Sequence, residues 1–172
     1  RRPPAAQREQ QRPEVERADF RDLAFLRIEV QPDVWIPLWL FGVTDFAKPA
    51  LATLTVQAGA AVPPPGTILI ERDGLHISNL SLGSLAPVRS EGTVRSVPIS
   101  GIAFDPAQAP ATQDHFIYAY ADQQTFAQLT GTPSNRRLLV RIRHAASRQD
   151  VQAGVDALTA YLKTRNVTVT SA

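Results

Sequence analysis

Between Leu138 and Thr164 the apolar residues change period, and that change constrains the fold more than any other feature of the chain. Leu138, Val140 and Ile142 alternate with Leu139, Arg141 and Arg143, the period-two pattern of a strand with one mainly apolar face. Val151, Val155, Leu158 and Leu162 then recur at helical spacing, which predicts an amphipathic helix to about Thr164. Ser147 is a good N-cap for it, and Asp150 falls in the first turn, where a carboxylate suits the helix dipole. Arg165 and Asn166 close the helix, and Val167-Thr168-Val169-Thr170 is expected to be a short final strand. The apolar side of such a helix has to be buried against a sheet, so a β-α-β unit is expected to end the chain.

The rest of the chain is expected to be mostly strands. Residues 3–12 (PPAAQREQQR) suit a short polar helix ended by Pro13. Alternation from Val15 to Val30, a turn at Pro32-Asp33 and the apolar run Val34–Val43 predict two strands, with Pro37 marking an edge or a bulge in the second. Further strands are expected at Leu51–Val56, Thr67–Glu71, Ala86–Arg89, Val94–Phe104 and Phe116–Tyr120. Between them, RDGLHISNLSLG (72–83) suits one or two helical turns packing Leu75, Ile77, Leu80 and Leu82. Asp122–Leu129 suits a short helix, and 130–134 a loop. The class is therefore α+β: an α/β layer formed by both chain ends, residues 1–44 and 134–172, with a β-rich insert over 45–133.

Charge follows the same division. Residues 1–27 hold seven Arg against five acids, and residues 135–172 hold seven Arg or Lys against two. The span between them reverses this, with four basic residues against nine acidic. Basic ends would suit an anionic surface such as lipid headgroups, although solvated arginines account for them equally well. Residues 49–70 carry no charge, but Pro49, Pro63-Pro64-Pro65, Gly59 and Gly66 forbid a continuous helix, which argues for two strands around a stiff loop. No membrane span or signal peptide is expected, and the chain should be soluble. It starts Arg1-Arg2-Pro3-Pro4 and holds no methionine, which suggests a piece of a longer polypeptide.

The chemistry-bearing residues form no active-site pattern. Cysteine is absent, so thiol nucleophiles, disulfides and cysteine metal sites are excluded. His76 and His144 suit structural or surface positions. His115 follows Asp114, but adjacent residues on an extended chain point apart, and no ligand type at i+3 or i+4 completes a metal face. Ser78, Ser81, Ser84 and Ser100 lack a nucleophile elbow, and no phosphate-binding glycine loop occurs. Glu14, Glu16, Asp19 and Asp22, interleaved with Arg17 and Arg21, suggest a solvated face. Arg136, Arg137, Arg141, Arg143 and Arg148 cluster without stacking aromatics, which argues against nucleic acid. No enzyme activity and no cofactor are expected. Trp35 and Trp39 share a strand face with Phe41, and core packing is the simpler explanation. The alternative is a partner or substrate contact made by Trp35, Trp39, Phe116, Tyr118 and Tyr120.

In their order, several phrases resemble the periplasmic core domain of MacB/FtsX-type ABC transporter permeases. They are Pro65–Arg72, Leu80-Ser81-Leu82-Gly83-Ser84, Val94–Pro106, Phe116–Tyr120 running into Asp122–Leu129 and Gly131, and the closing segment Leu138–Val169. The resemblance spans about Val15 to Thr170. Ser84 stands where the family often has Asp, which leaves the loop around Leu85-Ala86-Pro87 open to change. The resemblance implies a membrane-proximal, porter-like layer from both chain ends and a distal β-rich subdomain, outside the cytoplasm of a bacterial cell. It also implies a non-catalytic role that couples ATP-driven motion to substrate export, lipoprotein extraction or partner activation. The implied partners are the membrane helices of its own permease chain, a cytoplasmic ABC ATPase, a second permease copy or paralogue, and an unknown substrate or partner protein. The alternative is a stand-alone secreted module binding a ligand or peptide.

Overall fold

The computed structural model describes residues 13–47, 54–106, 108–131 and 135–169. The helix expected over 3–12 lies outside them. The chain divides into two compact units, residues 1–19 with 138–172, and residues 20–137. Both chain ends thus meet in one unit, while the residues from 20 to 44 belong to the other.

In the first unit, the start of β1 (Val15–Gln31) lies beside β8 (Asn135–Ile142). The Arg143 N–H donates to Glu14 O at 2.8 Å, and its guanidinium donates to Pro13 O and Val15 O at 3.2 and 3.1 Å. One member of the arginine cluster therefore ties the chain ends together. The helix α3 (Arg148–Thr164) starts with a capping box, Ser147 Oγ accepting from the Asp150 N–H and the Asp150 carboxylate accepting from the Ser147 N–H. Leu158 buries against Val15 and Ala18, with Leu138, Val140, Tyr161 and Leu162 around them.

The expected final strand does not form. Residues 167–169 carry no strand, and the Val167 N–H donates back to Leu162 O at 3.1 Å, satisfying a carbonyl at the end of α3. Asn166 takes a left-handed conformation (φ 57°) to allow this. The described end of the chain is β-α rather than β-α-β.

The second unit is a closed ring of six strands. β2 (Val34–Val43) pairs with β1 antiparallel and with β7 (Ile117–Asp122) parallel. The order continues through β4 (Ile68–Glu71), β6 (Thr93–Phe104) and β5 (Leu85–Ser90) and returns to β1. β3 (Thr55–Gly59) lies along β6 outside the ring. Closure removes the free edges that would template association. Leu26, Ile28, Leu38, Leu40, Ile68, Ile70, Val88, Ile99 and Ile117 fill the inside. Phe126 and Leu129 of α2 (Gln123–Thr130) and the 3₁₀ helix Arg72–Ile77 pack onto them. A single turn, α1 (Ala111–Asp114), precedes β7.

Two local expectations are corrected. β2 is not an edge strand: Pro37 pairs with Arg27, and pairing with β7 begins at Leu38, so proline sits just before the stretch bonded on both sides. The hairpin's irregularity lies between Glu29 and Gln31 instead. Leu75, Ile77 and Leu80 pack on the core, but Leu82 is exposed, because the Gly83 N–H bonds Ile99 O and the Ser81–Ser84 turn points the side chain outward.

Candidate interaction surface

The bulge in the β1–β2 hairpin decides which residues face outward together. A two-residue turn at Pro32-Asp33 sets Gln31 opposite Val34. One extra residue in β1 then shifts the register, so that Trp35, Trp39 and Phe41 stand opposite Glu29, Phe25 and Leu23. Without it Trp39 would face Leu26, a residue of the interior. The parallel register of β2 and β7 adds Tyr118 beside Trp39 and Tyr120 beside Phe41.

An aromatic strip results on the outer face of the ring. Phe25 meets Trp39 edge-on at 5.0 Å, Trp39 stacks on Phe116 at 4.8 Å, and Phe116 meets Tyr118 edge-on at 5.1 Å. Phe41 stacks on Tyr120 at 5.5 Å. Burial grades along it. Phe25 is 58% exposed, Trp39 and Phe116 are half-buried, Tyr118 is 3% exposed, and Phe41 and Tyr120 are enclosed. Phe25, Trp39 and Phe116 are therefore the members that present a surface, while Tyr118 and Tyr120 support it from below.

The inner end of the strip is polar and closed. The Tyr120 hydroxyl donates to Asp105 Oδ2 at 2.9 Å, and Arg21 Nη1 pairs with the same oxygen at 3.2 Å. Arg21 also lies 5.8 Å from the Phe41 ring centroid. Arg21 and Asp22 are 5% and 1% exposed, so the solvated face expected of this stretch is half buried. Burial, followed by the Asp105 charge, pushes the Tyr120 phenol well above its ordinary range. Tyr118 is pushed up to about 12, first by burial and then by the charge of Asp114, which accepts its hydroxyl proton at 3.4 Å.

Trp35 belongs to a separate group. The Arg89 guanidinium lies over its ring at 3.8 Å, and Arg27 Nη2 donates to its carbonyl oxygen at 2.8 Å. Arg27 and Arg89 are themselves cross-strand partners. Sequence reasoning missed Phe25, Arg27 and Arg89. The Phe25-x-Arg27 alternation carried the signal for two of them, but their partners depend on the bulge.

His115, Ser84 and Ser100 serve the backbone. His115 closes α1 in a left-handed conformation (φ 55°), its N–H donating to Ala111 O, while its neighbour Asp114 bonds Tyr118. Ser84 Oγ donates to Ser81 O, and Ser100 Oγ donates to Ile68 O. Among the described residues no group of three His, Asp or Glu side chains is placed to hold a metal ion. Nor is any described helix long and apolar enough to cross a membrane.

No protein-family model matches the chain, and no curated protein matches it. Solved structures do. The extracellular domain of the noncanonic ABC-type transporter YknZ from Gram-positive bacteria matches with a TM-score of 0.59 at 12% identity, over 95% of this chain and 83% of that one. The periplasmic region of MacB from Actinobacillus actinomycetemcomitans matches with a TM-score of 0.53 at 10% identity, over 91% of this chain and 72% of that one. The chain thus has the fold of the MacB-like extracytoplasmic domains of ABC transporters, a mixed α and β architecture.

Proposed function

We propose that this chain is the extracytoplasmic domain of an ABC transporter permease of the MacB/FtsX kind. The observation that carries the reading is the shared fold, which runs over nearly the whole chain in two transporter domains from the outer side of a membrane. Both chain ends, which belong to the first unit, are carried by the transmembrane helices of the same permease. The aromatic strip of the second unit, around Phe25, Trp39 and Phe116, meets a substrate or partner protein. The domain is non-catalytic. It passes ATP-driven motion, generated by a cytoplasmic ATPase and a paired permease copy or paralogue, to substrate export, lipoprotein extraction or partner activation.

The parent reading frame tests the placement. An apolar stretch of about twenty residues on each side of this chain is the expected finding. A leader alone upstream, with a stop codon just downstream, would replace the permease by a secreted binding module.

A further inference from the structure

Like charges set directly opposite each other on neighbouring strands destabilise a sheet unless something of opposite charge answers them. Arg27 and Arg89 are such a pair, and they stand on one of only two rungs that join β1 to β5 and close the ring. Both are fixed rather than splayed. Arg89 is held over the Trp35 ring and Arg27 on the Trp35 carbonyl. Among the described residues neither arginine forms an ion pair with a carboxylate. The nearby Glu29 accepts the Asp33 N–H instead. A brace for the hairpin would need one cation over Trp35; the second adds repulsion at a seam of only two rungs.

Beyond this rung the two strands part, and a cleft of about 330 Å3 opens, bordered by Phe25, both arginines and the Glu91-Gly92 turn. We propose that the Arg27–Arg89 pair binds a carboxylate side chain from an acidic segment of a partner protein, with Phe25 and Trp35 as its apolar flanks. Two guanidinium groups on paired strands can together serve the two oxygens of a carboxylate, and stacking on the Trp35 ring leaves the edge of Arg89 free to donate. Trp, Phe and Arg gathered at one place is also the composition of protein-interface anchors. A lipid surface fits less well. It needs a broad basic plane, whereas this site is two arginines at the edge of a cleft. The inference goes beyond the permease reading and stands whether or not the chain belongs to a permease.

The test is an NMR titration of the 172-residue chain, following the Trp35 indole N–H (assigned with Trp35→Phe) and the Arg89 Nε–H. The probes are a capped acidic pentapeptide alternating Glu and Leu, its Gln counterpart, inorganic phosphate, and phosphatidylglycerol vesicles. Saturable shifts of both signals with the acidic peptide, and none with the Gln peptide, are expected. Arg27→Gln or Arg89→Gln should weaken that binding about tenfold to a hundredfold, the worth of a charge-assisted hydrogen bond. Relief of the repulsion should leave the thermal midpoint of Arg27→Gln at or above the parent's. No shift at millimolar peptide, or undiminished affinity in both variants, overturns the proposal. Phosphate saturating the same signals as tightly as the peptide reduces the site to a general anion site and also overturns it. Vesicle binding without peptide binding would turn the site into a membrane contact.

Discussion

Tyr120 and Arg21 meet on a single oxygen of Asp105, at 2.9 and 3.2 Å. The arginine lies 84 positions from that carboxylate in the chain and is as buried as the residues around it. Removing one charge of a buried pair strands the other, which costs about 3–5 kcal/mol. Asp105→Asn should therefore lower the unfolding free energy by that order, read from urea unfolding. Replacing both partners by Leu should cost less than Asp105→Asn alone, because no charge is left stranded. Tyr120→Phe should cost about 1.5–3 kcal/mol, the range for a hydrogen bond to a charged group. An Asp105→Asn midpoint equal to the parent's would mean that the pair contributes nothing.

This pair also marks the limit of what local sequence carries. Periodicity and capping residues revealed β1, β2 and α3, because those signals act within a few residues. Ser147 and Asp150 form the expected cap, and Leu158 lies on the buried side of the helix. Arg21 and Asp22 looked solvated because the groups that justify their burial lie far away in sequence. Val167 and Val169 have strand propensity, but a strand needs a partner, and the Val167 N–H is spent on α3. The aromatic strip was half legible. Trp39, Phe116, Tyr118 and Tyr120 do gather, but Trp35 does not join them, and Phe25 enters through a one-residue bulge that no local pattern announces.

Glu71 gives the ring a pH dependence. Its carboxyl is buried and accepts the Asp73 N–H at 2.7 Å. Desolvation raises its pKa above the ordinary 4.5, with the charges of Asp73 and Asp105 adding to the rise, while the Asp73 N–H and Arg72 oppose it. The folded state then holds a proton that the unfolded state has released. The associated stability is present below pH 4.5 and is lost as pH rises through the folded-state value. Glu71→Gln keeps an acceptor for Asp73 and removes the titration. Its unfolding free energy should decline less than the parent's from pH 4.5 upward, and parallel profiles would refute the assignment.

Two glycines test how tightly the elements approach. A Cβ at Gly42 would lie 2.9 Å from the Phe126 ring and 3.2 Å from Asp22 Cβ, with little room on either side. Overpacking of this kind costs about 1–3 kcal/mol, so Gly42→Ala should destabilise the second unit by that order. A Cβ at Gly154 would lie 2.7 Å from Ile142 Cγ2. There the clash is partly offset, since alanine in a helix interior gains about 1 kcal/mol over glycine. Gly154→Ala should thus cost less than Gly42→Ala, and Ile142→Ala should turn its effect favourable. Thermal unfolding of the single and double variants measures both.

Phe25 separates a contact role from a structural one. Its ring is mostly in water, so Phe25→Asp gives up little burial and should change the unfolding free energy by less than about 1 kcal/mol. Trp39→Ala removes a half-buried ring packed against Phe25, Phe116 and Tyr118, and should cost about 2–4 kcal/mol. If the strip meets a partner, Phe25→Asp places a charge in a desolvated contact and should abolish transport or partner activation by the full-length permease. Basal ATPase activity should stay at the parent level, because nothing on the cytoplasmic side has changed. Full transport in a stably folded Phe25→Asp permease would remove the aromatic strip from the mechanism. The Arg27–Arg89 seam would then remain as the contact to test.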